Sequence, residues 1–429
     1  MNSRKKVLVN AYALSPTKGS EFSVGWNTVN LLAEKFTVYV LYGTSGNQMG
    51  DTIEIENLNA KNFSENIKFI KVHPNFLARN FNKLNSIGLW IFFSPALYFY
   101  QLDVYNLSKK LHKSIQFDIV HQLNPIGFRE PGFLWLLDIP FVWGPVCGTY
   151  ILPESLINWN DWKLALNLSL RNIIKWIYLK FSMRIKKAVE RSDVIITVTK
   201  DDSNNFLKYF NRKTHILSEN FIQNVTLNET IYEEKTIFKF VWIGRIDSRK
   251  NLILLLDSLI KLKEYKYNWS LDVVGDGILR NKMEKYVFLN GLDSKITFKG
   301  HLSRIKVNDI LAQADLHVMT SLYEATSTVL FEAYQNAIPT ISLNHCGMAD
   351  VICEKCGFLV SIDVKNYDYL VLNFSSQLKN IMDNPEILMS KRSHLPNCLE
   401  KYTASSRILD FEKYYDEATI NFNQKKPER

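Results

Sequence analysis

Short apolar runs separated by polar, glycine-containing loops recur along the whole chain. Lys6–Asn10 reads as a short buried strand, followed by a loop with Pro16, Lys18 and Gly19. Glu21–Lys35 then reads as a helix and Thr37–Tyr42 as the next strand. That order opens a doubly wound α/β domain. Phe117–Val120, ending at His121, Pro140–Trp143 and Asp193–Val198 continue it as strands. From residue 218 to 236 the chain is polar and loses apolar periodicity, which places a linker there. The alternation then restarts. Strands are predicted at Phe238–Ile243, Trp269–Val274, Ile296–Lys299, Leu316–Met319 and Ile338–Ser342. Helices are predicted at Asn251–Leu262, Leu279–Leu289, Ile305–Gln313 and Thr328–Asn336. Strands alternating with helices imply parallel sheets joined by right-handed crossovers. The expected layout is a Rossmann-like domain over 1–217, a linker over 218–236, a second such domain over 237–401, and a C-terminal helix and tail over 402–429.

Composition agrees with this layout and adds a charge bias. The chain has 429 residues, 46% of them hydrophobic and 22% charged, enough to bury two cores. The formal charge of +9 suits anionic partners. No recognised nucleic-acid motif accompanies it, so nucleic acid is not an expected partner. Val7-Leu8-Val9 is too short an apolar run for a secretory leader, and five cysteines, an odd number, do not suggest a disulfide framework. The expected compartment is the cytoplasm. The uncharged stretch 84–102 contains Asn85, Ser86, Gly88, Pro95 and Gln101, a poor composition for a membrane span.

In doubly wound sheets ligands sit beyond the carboxyl ends of the strands, and four groups of residues fall there. Gly244-Arg245 through Lys250 follows the strand 238–243; its cations either converge on a diphosphate or are solvated at a loop tip. Glu324 through Glu332 places one carboxylate on a loop and one on a helix, with the Thr328 and Val329 amides at the helix start. That start is either an anion site or an ordinary capped terminus with two acids favoured by the dipole. Ser15 through Glu21 is a loop opening a helix, with Gly19 allowing close approach; it lacks the three-glycine dinucleotide fingerprint and the P-loop ending, which argues against a nicotinamide dehydrogenase. His121 either lines a cleft or is a satisfied core histidine.

Together these motifs, with Gly275-Asp276-Gly277 and Gly300-His301, resemble the retaining glycosyltransferases of family four, also called group one. Ser15-Pro16 through Gly25-Trp26, and Asn124-Pro125-Ile126-Gly127 through Gly144-Pro145, look like one branch of that family. The resemblance implies the GT-B fold: two Rossmann-like domains facing across a cleft, with the C-terminal helix returning to the first. It implies a nucleotide-sugar donor, a UDP-sugar ahead of a GDP-sugar, and a hexosyl or N-acetylhexosaminyl group transferred to a lipid-linked glycan of a surface polysaccharide such as lipopolysaccharide or capsule. Carried over, Arg245 and Lys250 hold the diphosphate. Glu324 contacts the transferred sugar and Glu332 the ribose. Thr328 and Val329 meet the distal phosphate, Gly19 and Gly244 shape the loops, His121 sits near the sugar, and His301 lies in the 298–302 stretch bordering the base. The expected catalytic set is Glu324, His121, Arg245 and Lys250, with no cofactor and no metal. The chain departs from the family at Asn251, where many members have glycine, at Ala325-Thr326-Ser327, where many have Gly-Phe-Gly, and in having one glycine rather than two in the first loop.

Two further features bear on partners. Trp162–Lys187 holds seven basic residues and no acid, with Leu170, Ile174, Ile177, Phe181 and Ile185 at helical spacing. It reads either as a helix lying on an anionic membrane surface or as a core-facing stripe with a solvated basic face. The aromatic run 89–93 adds weight to the membrane and to a peripheral position on the inner face. Cys353-x2-Cys356 with His345 and Cys346 gives poor zinc geometry, so reduced cysteines are expected. The alternatives to a membrane-linked transferase are a transferase acting on a soluble acceptor and a non-catalytic scaffold of the same fold.

Overall fold

The computed structural model describes residues 4–19, 21–43, 53–57, 63–225, 237–265 and 267–425. Most of the expected linker, 226–236, lies outside them. The chain divides into two compact units. The first comprises Met1–Thr149, Ile177–Glu219 and Ala404–Arg429, the second Tyr150–Trp176 and Asn220–Thr403. Residues 150–176, assigned from sequence to the first domain, therefore belong to the second unit.

Among the described residues, seven parallel strands form the sheet of the first unit: β1 (Lys6–Ala11), β2 (Thr37–Tyr42), β3 (Ile67–Lys71), β4 (Ile119–Asn124), β5 (Phe141–Val146), β6 (Val194–Thr197) and β7 (His215–Ile216). Their order is β3-β2-β1-β4-β5-β6-β7. Val7, Leu8 and Val9 are wholly buried, as expected where helices cover both faces of a sheet. The C-terminal helix Ala404–Lys425 packs on β5 and β6 of this unit.

Among the described residues, the second unit has six parallel strands: β8 (Phe238–Ile243), β9 (Trp269–Val274), β10 (Ile296–Gly300), β11 (Leu316–Met319), β12 (Thr340–Leu343) and β13 (Gly357–Val360). Their order is β10-β9-β8-β11-β12-β13. Order reverses between β1 and β4 in one sheet and between β8 and β11 in the other. Loops leaving those four strands lie at the switch points where such sheets bind ligands. The apolar helix Leu252–Lys261 and the long helix Tyr367–Asp383 cover one face of the second sheet around Phe240, Trp242 and Leu271.

Candidate donor site

At the second unit's switch point, the loops after β8 and β11 meet through one carboxylate. Glu324 Oε2 accepts from Arg249 Nη1 and from Lys250 Nζ, each at 2.8 Å. Lys250 and Glu324 side chains are only 11% and 13% exposed, so this is a largely desolvated pair. Burial alone would raise the Glu324 carboxyl; Lys250 and Arg249 beside it more than offset that and hold it below its ordinary value. Asp247 shapes the same loop: one oxygen accepts the Lys250 N–H at 2.9 Å, the other the Arg245 Nε–H at 2.7 Å. The Arg245 side chain is otherwise open, at 70% exposure.

The helix Thr328–Gln335 begins directly after this loop. It buries Leu330, Phe331, Ala333 and Tyr334 in the core and leaves Glu332 mostly buried beside Arg304. Ser327 occupies the N-cap with extended dihedrals, but its side chain makes no capping bond. The first amides, including those of Thr328 and Val329, therefore begin the helix without a side-chain cap, the arrangement that favours an anion. Glu332 pairs with Arg304 Nε at 3.2 Å. Its carboxyl is raised, because burial outweighs Arg304's opposing charge.

Close backbone approach brings the remaining loops in. Gly275 has φ +131°, and a Cβ there would lie 1.9 Å from the Gly244 carbonyl oxygen. Gly275 N–H in turn donates to Gly300 O at 2.8 Å, so the ends of β8, β9 and β10 come together, with exposed His301 just beyond. Gly347, after β12, donates its N–H to Glu324 O at 3.1 Å, and a Cβ on it would collide with Ala325 O at 1.2 Å. His345 stacks on Tyr150 beside this loop, and burial lowers its pKa to about 4.

The departures from the family motif are explained locally. Asn251 adopts φ +52°, ψ +45°. Asparagine is among the few non-glycine residues that enter this left-handed region readily. Residues 325–327 all have negative φ, so the loop after Glu324 needs no glycine there.

In the first unit the motif residues after β1 and β4 also converge. The Asn124 side chain accepts from Ala13 N–H at 3.0 Å and donates to Ala13 O at 2.7 Å. Glu21 accepts the Ile126 N–H at 2.6 Å. Gly19 is exposed with nothing near its missing side chain, while Ser20 lies outside the described residues.

The residues 228–386 match the family model described as glycosyl transferases group 1. Over that stretch the chain is similar to the group 1 glycosyltransferases. Protein CapJ of Staphylococcus aureus is 29% identical over 209 residues, 46% of this chain and 51% of CapJ. The aligned stretch thus spans about half the length of that relative. Fold likeness extends further. The lipopolysaccharide outer core galactosyltransferase WaaB superposes with TM-score 0.64 at 17% identity, covering 95% of this chain and 98% of WaaB. Anabaena HepE, solved with UDP and glucose, superposes with TM-score 0.58 at 12% identity, covering 95% and 98%. The fold of this chain is GT-B.

Three expectations need correction or addition. His121 does not line an open site. β4 runs on to Asn124, which puts His121 inside the strand, wholly buried. Its Nδ1 pairs with the Tyr415 hydroxyl at 2.8 Å and its Nε2 with Gly144 O at 2.6 Å. Burial lowers its pKa to about 4, so it is a neutral, satisfied core histidine.

Trp162–Lys187 is not one helix. Trp162–Phe181 ends before Ser182, which caps a second helix, Met183–Arg191. Leu170, Ile174, Ile177 and Phe181 are exposed, whereas Ile185 is wholly buried. Arg184 pairs with Glu130 at 3.0 Å, and Arg171 and Lys175 bond the Tyr323 hydroxyl and Tyr150 O.

The sequence passed over Arg249, Arg304 and Gly347. Only Arg249 carried a signal, its place next to Lys250. A cavity of about 460 Å³ lined by Asp257, Lys282, Tyr286 and Tyr367 also opens in the second unit; Glu324, Glu332 and Lys250 do not line it.

Proposed function

We propose that the chain is a retaining hexosyl- or N-acetylhexosaminyl-transferase. It moves a sugar from a nucleotide-sugar, a UDP-sugar ahead of a GDP-sugar, to a lipid-linked glycan in surface polysaccharide synthesis. The observation that carries this reading is the desolvated Glu324–Lys250–Arg249 cluster, followed directly by an uncapped helix start and a second carboxylate, Glu332. Cations and amides then hold the diphosphate, Glu324 takes the sugar hydroxyls, and Glu332 takes the ribose. WaaB's galactosyl transfer and HepE's bound UDP support the same class of donor.

As the bond from the anomeric carbon to the diphosphate breaks, negative charge grows on the leaving oxygen. Arg245, Lys250 and the amides of Thr328 and Val329 stabilise that charge without reorganising. The acceptor hydroxyl attacks from the face the diphosphate leaves, and its proton passes to the departing group or to solvent. These cations do the work a divalent metal does in other transferases, so the donor site needs none.

The acceptor reading rests on the helix Trp162–Phe181. Trp162, Leu170, Ile174, Ile177 and Phe181 leave apolar surface open beside Lys163 and Lys180. Leu89, Ile91 and Phe93 are exposed as well. No helix among the described residues is long and apolar enough to cross a membrane. Peripheral attachment to an anionic surface fits such a helix.

The test supplies radiolabelled UDP- and GDP-sugars with a lipid extract of the source organism. Label entering the organic phase is the expected result. Label entering only water-soluble glycan would give a soluble acceptor. Neither transfer nor donor hydrolysis would leave a binding scaffold of the same fold.

A further inference from the structure

A cluster of three cysteines lies in the second unit away from the donor loops. Cys353 and Cys356 flank a tight turn before β13. The Cys356 and Gly357 N–H groups both donate to Cys353 O, at 3.0 and 3.1 Å. This turn aims the two sulfurs at one point, 2.7 Å apart. Cys398, from the helix Glu386–Glu400, brings a third sulfur to 3.2 Å from Cys353. All three sulfurs lie within 4.8 Å of one another.

The structure joins Cys356 to Cys398 as a disulfide, where the sequence analysis expects reduced cysteines. Their Cα atoms are 7.0 Å apart, just beyond the roughly 4.4–6.8 Å a disulfide usually spans. A metal bridge, with two bonds of about 2.3 Å, spans more than one S–S bond.

Two neighbours fit a thiolate centre. The Tyr334 hydroxyl is buried and has no hydrogen-bond partner among the described residues. It points to the turn, 3.4 Å from where a Cβ on Gly357 would be. Buried hydroxyls are rarely left unpaired, and a thiolate would accept this one. Lys391 Nζ donates to Glu354 O at 2.6 Å, which sets a positive charge beside the turn. Cys353 and Cys398 are only partly buried, which leaves a way in for an ion.

We propose that Cys353, Cys356 and Cys398, in their reduced form, bind one thiophilic divalent cation, Zn2+, with solvent in the fourth position. Where the disulfide has formed, a dithiol reductant first supplies two electrons and two protons to it. Binding then releases three thiol protons, and the centre carries a net charge of −1, which Lys391 balances. The metal fastens the helix Glu386–Glu400 to the turn. Through Tyr334 it touches the end of the helix that carries Glu332. This site is separate from the donor loops and does not depend on the reading of them.

The experiment purifies the full chain under dithiol reductant and measures zinc by elemental mass spectrometry. It also measures the thiolate-to-metal absorption after exchange with Co2+. About one metal per chain is expected, with charge-transfer bands from cysteine sulfur. Alkylation of the folded chain should reach the half-exposed Cys147 but spare the three ligands until zinc is removed. Cys398→Ser should lose the bands, Cys346→Ser should keep them, and Tyr334→Phe should bind about 10–100-fold more weakly. The spectrum and the alkylation pattern of the wild-type chain test the site even if a cysteine variant fails to fold. The proposal is overturned if the reduced chain takes up no metal, or if Cys398→Ser gives the same bands.

Discussion

Lys250 and Arg249 share one carboxylate oxygen of Glu324, and each cation is kept in place by a charge it would otherwise lack. In the proposed role, a sugar hydroxyl at Glu324 would donate to a carboxyl held ionised, the stronger kind of hydrogen bond. The folded carboxyl titrates below its ordinary 4.5. Its contribution to stability is therefore fully present above that value and is lost as pH falls through the lower folded value. Glu324→Gln should cost about 1–3 kcal/mol at neutral pH. That gap should narrow in urea titrations run at progressively lower pH below 4.5; a gap that widened in acid would contradict the pairing. Glu332 behaves differently, since its carboxyl is raised and its partner Arg304 is mostly exposed. Glu332→Ala should weaken nucleotide binding by about 1.5–3 kcal/mol, while Arg245→Ala should lower both affinity and turnover. Calorimetry with the matched nucleotide and initial rates would separate the two effects.

Elements whose apolar pattern stands alone were readable. β8, β9 and β11 fall at the expected residues, and the helix over the Glu324–Glu332 motif differs by one residue at its end. β4 was read too short because His121, Gln122 and Asn124 break its apolar run. Those polar groups are nevertheless buried, since partners far away in sequence satisfy them. Asn10 Nδ2 donates to Gln122 and to Gln101, each at 3.0 Å, and His121 is held by Tyr415. Long-range pairing of this kind leaves no local signal. The basic segment shows the opposite failure. Its helical spacing was real but ran across a break at Ser182, and one end of its stripe is core. The exposed part of that stripe should bind membrane. Wild type should float with anionic vesicles at low salt and detach as salt rises. Leu170→Ser, Ile174→Ser and Ile177→Ser combined should abolish flotation without unfolding the chain. Unchanged flotation would remove this helix as the anchor.

Across the whole molecule, two parallel sheets each place their loops at a switch point, and the chemistry is divided unequally between them. The second unit supplies paired carboxylates, cations and an uncapped helix start. The first supplies a clamped turn, Asn124 on Ala13 and Glu21 on Ile126, with no ionic cluster of its own at that point among the described residues. That asymmetry was visible in the motifs, which were densest after β8 and β11. The return of the C-terminal helix to the first unit was expected from the family resemblance, not from the residues themselves. The cysteine cluster was not visible, because Cys398 lies 42 residues from Cys356 on a helix with no metal-ligand spacing. If Arg245, Lys250 and backbone amides hold the diphosphate as proposed, transfer should proceed without added Mg2+ or Mn2+. Rates restored only by manganese would contradict that scheme.

The second unit is proposed to bind a nucleotide-sugar through this cluster. The most direct measurement is titration calorimetry of wild type and of the Lys250→Ala, Glu332→Ala double variant against UDP-, GDP-, ADP- and CMP-sugars. One base class should bind wild type, and the double variant should lose at least about 100-fold in affinity, equivalent to about 2.7 kcal/mol. Binding of none of the four, or equal binding by both proteins, would contradict it.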